Sequence, residues 1–273
     1  MWGRVRAVII GAVILGLLAA SAAEARKPYY LSYHAPQVAP AKKGVVLVIS
    51  GGGWRSYSGP EADRIMTLFL GDFTAAGYRT FNLAFRQGKV LEDTLAAVEH
   101  LKKRFPSRPL CVFGGSSGGH LALMSAIERR DLVDCAIDVG GPIDFLRPEP
   151  DRLYWPQIRD RAIEIFGAEN LRKVSPIYRA HKIKAATLVI SAECDIYTSI
   201  QRNQELVSKL KRGKLMPLRP DPLGFNLGGH CGIANEDFAA MRGAEIQWLN
   251  RFANKKVKRK PRGNRGHRGS KGR

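Results

Sequence analysis

The chain has 273 residues, of which 45% are hydrophobic and 25% are charged, and its formal net charge is +20. This much apolar sequence can bury a full core, so a wholly disordered chain is excluded and one α/β domain is expected. The sequence has no metal-ligand spacing, no phosphate loop of the G-K-[ST] kind and no dinucleotide fingerprint. We therefore predict no metal and no cofactor.

The N-terminus has the pattern of an export signal. Arg4 and Arg6 precede an uncharged run over residues 7–23, and an A-x-A sequence follows at residues 23–25. A short positive segment, an apolar segment and a small-residue cleavage site are typical of a secretory signal peptide. The sequence predicts removal of residues 1–25 and a periplasmic or secreted protein. An uncleaved membrane anchor is the alternative, because the apolar run approaches the ~20 residues that a membrane span needs.

The C-terminus is strongly basic. Ten Lys and Arg residues, and no acid, follow Asn254, so half of the net charge lies in the last 19 residues. Residues 254–273 lack the apolar side chains of a core and are predicted to be disordered. Such a tail can bind polyanions by releasing their counterions. The export signal argues against a nucleic-acid partner, which leaves an anionic surface of the cell envelope or a solvated tail without a partner.

Between these ends, apolar runs alternate with helical patterns. Residues 45–50 form an apolar run rich in β-branched residues, as in a buried parallel strand. Further strands are predicted at 78–85, 109–113, 135–139, 185–191 and 215–218, and helices are marked by Ile65, Phe69 and Phe73, by Leu91, Leu95, Val98, Leu101 and Phe105, by Ile200, Val207 and Leu210, and by Phe238, Trp248 and Phe252. This order predicts an α/β fold with a mostly parallel sheet and helices on both faces. The predicted domain covers residues 29–253, with a small cap insertion at 142–175.

A serine pair lies between one of these strands and the next helix. Residues 112–123 read VFGGSSGGHLAL, and the pattern G-x-S-x-G describes a nucleophile elbow, a strained strand-to-helix turn that exposes a serine hydroxyl. The pattern fits both Ser116 and Ser117, so spacing does not choose between them. The alternative is a glycine-rich strand-to-helix turn that only packs closely or that holds a phosphate at the helix N-terminus.

The same run resembles the S-A-G-G-H-L-A segment of α/β-hydrolase esterases and of prolyl-oligopeptidase-like serine peptidases. The G-G-H-L part of that segment matches Gly118, Gly119, His120 and Leu121. The resemblance implies the α/β-hydrolase fold, with Ser116 as the nucleophile. It also implies that the backbone N–H of Ser117 donates to the oxyanion.

A second motif supports this resemblance. The sequence S-G-G-G-W over residues 50–54 resembles the H-G-G-G-W loop of the HGGG-type carboxylesterases, whose glycine amides help to form the oxyanion hole. The match implies that Gly52 and Gly53 are the donors. Ser50 departs from the family, which usually has histidine there, so the anchoring bonds of the loop must differ. Because the donors are backbone amides, the hole itself can survive that change.

The acid is predicted after the buried strand that follows the cap. In the family the triad acid commonly appears there as G-x-x-D, which implies Asp195, although Ala192 replaces the glycine. Glu193 and Asp221 are rivals. Asp144 fits only families that place the acid one strand earlier.

The base is predicted by elimination among six histidines, in the order Ser, Asp, His that the fold family uses. His230 lies in a glycine-rich loop after the last strand and before the last helix. The other five occupy less suitable positions. His267 is in the tail, His100 is on a helix, and His34 precedes the first strong strand. His181 leads into a strand at the edge of the sheet away from the loops that carry the chemistry, and His120 resembles a helix residue of the family.

The resemblance implies an exported serine hydrolase, first of all a carboxylesterase acting on small or medium acyl esters. A serine peptidase or acyl transferase is the runner-up, because prolyl-oligopeptidase-like domains share these motifs and Ser175-Pro176. Either way the expected partner is a small-molecule ester or a peptide. A non-catalytic binding protein on a hydrolase scaffold stays open, since Ser50 and Ala192 depart from the pattern.

The four cysteines fall into two pairs. Cys194 precedes Asp195 and Cys231 follows His230, so a hydrogen bond between acid and base would bring the two sulfurs close; we predict a disulfide there, with free thiols as the alternative. Cys111 and Cys135 start neighbouring predicted strands. We interpret that pair as buried thiols in preference to a second bridge.

Overall fold

The computed structural model describes residues 29–39, 43–149, 152–227 and 229–254. The predicted signal peptide (1–25) and all but the first residue of the predicted basic tail (254–273) lie outside these ranges. Within them, no helix combines the length and the apolar character needed to cross a bilayer.

The main sheet of the described residues has seven strands in the order β1-β3-β2-β4-β5-β6-β7. β1 is antiparallel to β3, and every other neighbouring pair is parallel. The strands are β1 Tyr30–His34, β2 Val45–Ile49, β3 Arg79–Ala84, β4 Leu110–Gly115, β5 Cys135–Val139, β6 Ala186–Ala192 and β7 Gly213–Leu218. Every residue of β2, β5 and β6 is buried, which explains their largely apolar sequences.

Helices cover both faces of this sheet. They are α1 Gly59–Ile65, α2 Thr67–Ala75, α3 Val90–Arg104, α4 Ser117–Glu128, α5 Trp155–Phe166, α6 Leu171–Val174, α7 Ile200–Ser208 and α8 Asn235–Phe252. One apolar cluster lies between the sheet and α3 to α7, and a second lies between the sheet and α2 and α8. The predicted α/β-hydrolase architecture, a mostly parallel sheet between two layers of helices, is confirmed.

Two local features differ from the prediction. The single helix predicted around Ile65 is divided into α1 and α2 by Met66, whose side chain is buried while that of Ile65 is 46% exposed. The apolar stripe therefore passes through Met66 and not through Ile65. A small antiparallel sheet was also not anticipated: β8 Pro220–Asn226 pairs with β9 Gly232–Ile233. The segment between these two strands carries His230.

The four cysteines form two disulfides. Cys194 and Cys231 are bonded with their Cα atoms 5.9 Å apart, which confirms the predicted bridge. The interpretation of Cys111 and Cys135 as thiols is wrong, because they form a second bridge with a Cα separation of 4.5 Å. These two residues are direct register partners on the adjacent parallel strands β4 and β5, so their side chains meet on one face of the sheet.

Candidate active site

Ser116 lies at the turn between β4, which ends at Gly115, and α4, which begins at Ser117. Its backbone has φ 53° and ψ −126°, a conformation that residues with a side chain rarely adopt. The Ser116 N–H donates to the Val139 carbonyl (2.7 Å), and its carbonyl accepts from the His120 N–H (3.1 Å). The turn is thus held in a strained geometry by bonds to β5 and to its own helix.

The glycines around this turn are required by close backbone contact. A Cβ atom on Gly114 would lie 2.2 Å from the Gly118 backbone. A Cβ atom on Gly118 would lie 2.2 Å from the carbonyl oxygen of Ile49, at the end of β2. Helix α4 therefore begins directly against two strand ends, which places the serine pair at the carboxyl edge of the sheet.

Asp195 and His230 form a buried acid–base pair. His230 Nδ1 lies 2.7 Å from Asp195 Oδ2, and neither side chain is more than 5% exposed. The other carboxylate oxygen, Oδ1, accepts hydrogen bonds from the N–H groups of Tyr197 (2.8 Å) and Thr198 (3.2 Å). With Nδ1 donating to the carboxylate, Nε2 is the ring nitrogen left to accept a proton.

The turn after β5 connects Ser116 to this pair. The Val139 carbonyl accepts from Ser116, and a Cβ atom on the next residue, Gly140, would lie 3.1 Å from Asp195 Oδ2 and 3.2 Å from His230 Nδ1. Among the described residues no hydrogen bond joins the Ser116 hydroxyl to His230. Such bonds are often long before a substrate arrives. The structure therefore brings the predicted acid and base into contact, with Ser116 on the other side of one turn.

The rival acids do not contact His230. Glu193 is exposed, Asp144 is held by Arg147 (2.6 Å) and by the Tyr178 hydroxyl (3.1 Å), and Asp221 accepts the N–H of Leu223. Of the four candidate carboxylates, Asp195 alone bonds to the imidazole within the part of the chain that the structure describes.

The glycine loop after β2 presents free amides. Gly52 and Gly53 have φ +104° and +63°, and within the described ranges their N–H groups have no acceptor. Their carbonyl groups are occupied: Gly52 accepts the Arg55 N–H (3.2 Å), and Gly53 accepts Arg161 Nε from α5 (3.1 Å). The Ser117 N–H lies in the first turn of α4, where an intrahelical acceptor does not exist. These are the three predicted oxyanion donors.

His120 connects this loop to the serine turn. Its fully buried ring accepts from Trp54 Nε1 at Nδ1 (3.1 Å) and donates from Nε2 to the Val174 carbonyl (2.7 Å). Burial lowers the pKa of His120 to about 4, against the opposing effect of the Val174 bond, so the ring is neutral. The resemblance to the family identified His120 as a helix residue, but the sequence did not indicate its hydrogen bonds to Trp54 and Val174. The Trp54 indole provides an anchor for a loop that lacks the family histidine at Ser50.

Aromatic side chains lie close to the Asp195–His230 pair, one of them in the segment predicted to be a cap. The Tyr197 ring packs edge-on against His230 with centroids 4.8 Å apart, and Tyr154 lies 5.9 Å from Tyr197. Burial, together with Asp195 and Tyr154, raises the pKa of Tyr197. Leu153 is 72% exposed beside Tyr154. Arg152 donates to the Asp195 carbonyl (2.9 Å). The imidazole therefore packs against Tyr197, which in turn contacts Tyr154 of the segment predicted to be a cap.

The sheet order, the strained serine turn and the placement of the acid–base pair at the carboxyl edge of the strands are those of the α/β hydrolases. The sequence also matches a family model within that class: residues 31–210, about two thirds of the chain, match the BD-FAE family. The chain belongs to the BD-FAE family. The matched range contains Ser116 and Asp195 and ends before His230.

Solved structures with the same fold include esterase 2 of Thermogutta terrifontis phosphonylated by sarin, at 17% identity and a TM-score of 0.62, covering 80% of this chain and 87% of that one. A puromycin hydrolase is equally similar, at 17% identity and 0.62, covering 82% of this chain but 37% of its own. The monoacylglycerol lipase of Paleococcus ferrophilus has 16% identity and a TM-score of 0.56, covering 81% and 98%. A search of curated protein sequences finds no match.

Proposed function

We propose that this protein is a serine hydrolase that cleaves carboxylic esters, with Ser116 as nucleophile, His230 as general base and acid, and Asp195 as the group that orients the imidazole. The observation that carries the proposal is the buried 2.7 Å bond between His230 Nδ1 and Asp195 Oδ2 beside a strained serine turn. The bond leaves Nε2 as the proton acceptor, which a serine hydroxyl needs in order to attack.

The reaction follows from these positions. His230 Nε2 takes the proton of Ser116 as Oγ bonds to the ester carbonyl carbon, and the negative charge on the carbonyl oxygen is stabilised by the amides of Gly52, Gly53 and Ser117. The intermediate collapses to an acyl-enzyme, and the alcohol leaves with the proton from His230. Water then gives a proton to His230 and attacks the acyl carbon. The carboxylic acid leaves, and the proton returns to Ser116.

The aromatic and apolar side chains around the site support small-molecule esters as the substrates. Tyr197 contacts the imidazole, and Tyr154 packs against Tyr197. Leu146 and Leu153 are exposed on the segment that follows β5. A serine peptidase or acyl transferase uses the same catalytic groups and is the second candidate. A puromycin hydrolase shares the fold, but at 17% identity that likeness does not decide the substrate.

We also propose that the protein is exported and that its basic tail attaches it to an anionic surface. Two disulfides support export, since disulfides persist in oxidising compartments. The predicted signal peptide and the tail beyond Asn254 lie outside the described residues. Their roles follow from sequence composition alone.

A substrate panel with two serine variants tests this function. The panel compares p-nitrophenyl esters of increasing acyl length with aminoacyl-p-nitroanilides, for the wild type, Ser116→Ala and Ser117→Ala. We expect turnover of the esters, a loss of roughly 10⁴-fold or more in Ser116→Ala, and retained activity in Ser117→Ala. Ser117 is a matched control, because its hydroxyl is buried without a hydrogen-bond partner among the described residues.

Three results would contradict parts of the proposal. A dead Ser117→Ala beside an active Ser116→Ala would make the assigned nucleophile wrong. Preference for the anilides would favour the peptidase. Folded wild-type protein with no turnover of either class would support a binding protein on a hydrolase scaffold.

A further inference from the structure

Asp138 is a buried carboxyl group that the proposed mechanism does not use. It lies near the end of β5, opposite Gly114 of β4, and its side chain has no exposure to solvent. Oδ1 accepts the N–H of Gly141 (2.8 Å), whereas Oδ2 has no hydrogen-bond partner among the described residues. An isolated acceptor of this kind is costly to bury, so its position in an otherwise apolar strand calls for a physical reason.

The carboxyl group fills the space between the serine turn and the turn after β5. A Cβ atom on Gly119, in the first part of α4, would lie 2.0 Å from Asp138 Oδ1. A Cβ atom on Gly141 would lie 2.4 Å from the same oxygen. Asp138 therefore touches the helix that begins at Ser117, and it bonds to the turn that contains Gly140. That turn contacts Asp195 Oδ2 and the His230 ring.

The ionisable groups around Asp138 belong to the site. The neighbouring strands oppose it with Gly114 and Val189, which do not ionise. Helix α4 contributes His120, whose ring is neutral and is bonded away to Trp54 and Val174. The loops at the carboxyl edge contribute Asp195 and His230, and both act electrostatically on Asp138.

Burial raises the pKa of Asp138 to about 7, with Asp195 adding to the rise and the Gly141 N–H and His230 opposing it. The carboxyl group of Asp138 thus changes charge near neutral pH.

We propose that Asp138 is a positioning residue for the Asp195–His230 pair: its carboxyl group holds the Gly140–Gly141 turn, and its ionisation adds a second negative charge across that turn from the imidazole. When Asp138 is protonated, the imidazole faces one carboxylate. When it ionises, the imidazolium is stabilised further and His230 keeps its proton to higher pH. The expected change in the pH dependence of turnover rests on the proposed function, because neutral His230 is the form that accepts the Ser116 proton. The expected change in the His230 titration does not depend on that function.

The test replaces Asp138 with asparagine, which keeps the size of the side chain and an oxygen that accepts the Gly141 N–H but cannot ionise. The matched control is Glu245→Gln on α8. Glu245 is also fully buried with a raised pKa, but its electrostatic partners are Asp72 and Arg242. The His230 ring is titrated by NMR, with its signal assigned from a His230→Gln variant, and kcat/KM for a p-nitrophenyl ester is measured over the same pH range.

We expect Asp138→Asn to lower the pKa of His230 by about one pH unit and to move the acid limb of kcat/KM by the same amount. Glu245→Gln should leave both curves in place. An unchanged His230 titration in folded Asp138→Asn would overturn the inference. If the titration of His230 shifts but the wild type hydrolyses no ester, the proposed function fails and the inference stands. If the wild type hydrolyses esters but the titration does not shift, the inference fails and the proposed function stands.

A measurement on the wild-type protein avoids any dependence on how the variants fold. The side-chain carboxyl carbon of Asp138 is followed by ¹³C NMR between pH 3 and 9. A midpoint near 7 supports the inference. A midpoint near 4, the ordinary value for an exposed aspartate, would overturn it.

Discussion

Removal of the Cys194–Cys231 bridge should lower kcat, and the loss should be larger than destabilisation of the fold alone would cause. The bridge joins the residue before Asp195 to the residue after His230, so it ties together the two loops that hold the acid and the base. The second bridge, Cys111–Cys135, joins β4 to β5 near the opposite ends of these strands and touches neither loop. The double variants C194A/C231A and C111A/C135A therefore form a matched pair.

The structure sets the expected magnitudes. The sequence separations are 37 and 24 residues, for which the chain-entropy model gives about 4 and about 3.5 kcal/mol of lost stability. These losses are similar, so stability alone cannot separate the variants. A displacement of about 1 Å between catalytic groups can lower a rate by about 100-fold. We therefore expect C194A/C231A to lose about 10- to 100-fold in kcat, with C111A/C135A close to the wild type.

The assay is urea unfolding followed by circular dichroism, together with kcat for a p-nitrophenyl ester at a temperature where both variants remain folded. A wild-type kcat in both variants would show that the Cys194–Cys231 bridge does not position Asp195 and His230. A loss of activity in C111A/C135A of the same size would show that both bridges act only through general stability.

Two further predictions rest on the geometry of the site, and a third concerns the basic tail. Gly140→Ala should destabilise the fold by about 1 kcal/mol or more, because φ at this position is +64°. It should also lower kcat by at least tenfold, because the added Cβ would press on Asp195 Oδ2, and a wild-type kcat would show that this contact does not affect the acid–base pair. Asp138 has a raised pKa, so the folded state holds its proton more tightly than the unfolded state, and unfolding free energy should fall as pH rises from about 4 to 7. Asp138→Asn should remove up to about 4 kcal/mol of that fall, and an unchanged pH dependence in urea melts would refute this. Deletion of residues 255–273 should keep ester turnover and abolish salt-sensitive retention on vesicles containing anionic lipid, whereas equal retention of both proteins at low salt would remove the tail hypothesis.

Much of the fold could be predicted from the sequence because its central strands are buried on both faces. Residues 45–50 and 185–191 are continuous apolar runs, and each closely matches an observed strand. The turn at Ser116 was equally readable, since only glycine tolerates the contacts around it. Strand register was not readable. Cys111 and Cys135 were therefore placed on neighbouring strands but not recognised as opposite each other.

The parts of the site that were missed depend on contacts between distant segments. Arg161 reaches the Gly53 carbonyl from a helix more than 100 residues away, and no local pattern indicates that bond. Tyr197 packs on His230 through the folding of two separate loops. Asp138 did leave a signal, a carboxyl group within the apolar run CAIDV, but its meaning depends on Gly119 and Gly141, which only the fold brings to it.

The central claim is that Ser116 is a nucleophile activated by the Asp195–His230 pair. The most direct measurement is reaction of the folded, disulfide-bonded protein with a fluorophosphonate probe, followed by mass spectrometry of the peptides. We expect a single adduct on Ser116 that forms in Ser117→Ala and is lost in Ser116→Ala and His230→Gln. An adduct on Ser117, or no adduct on folded wild-type protein, would contradict it.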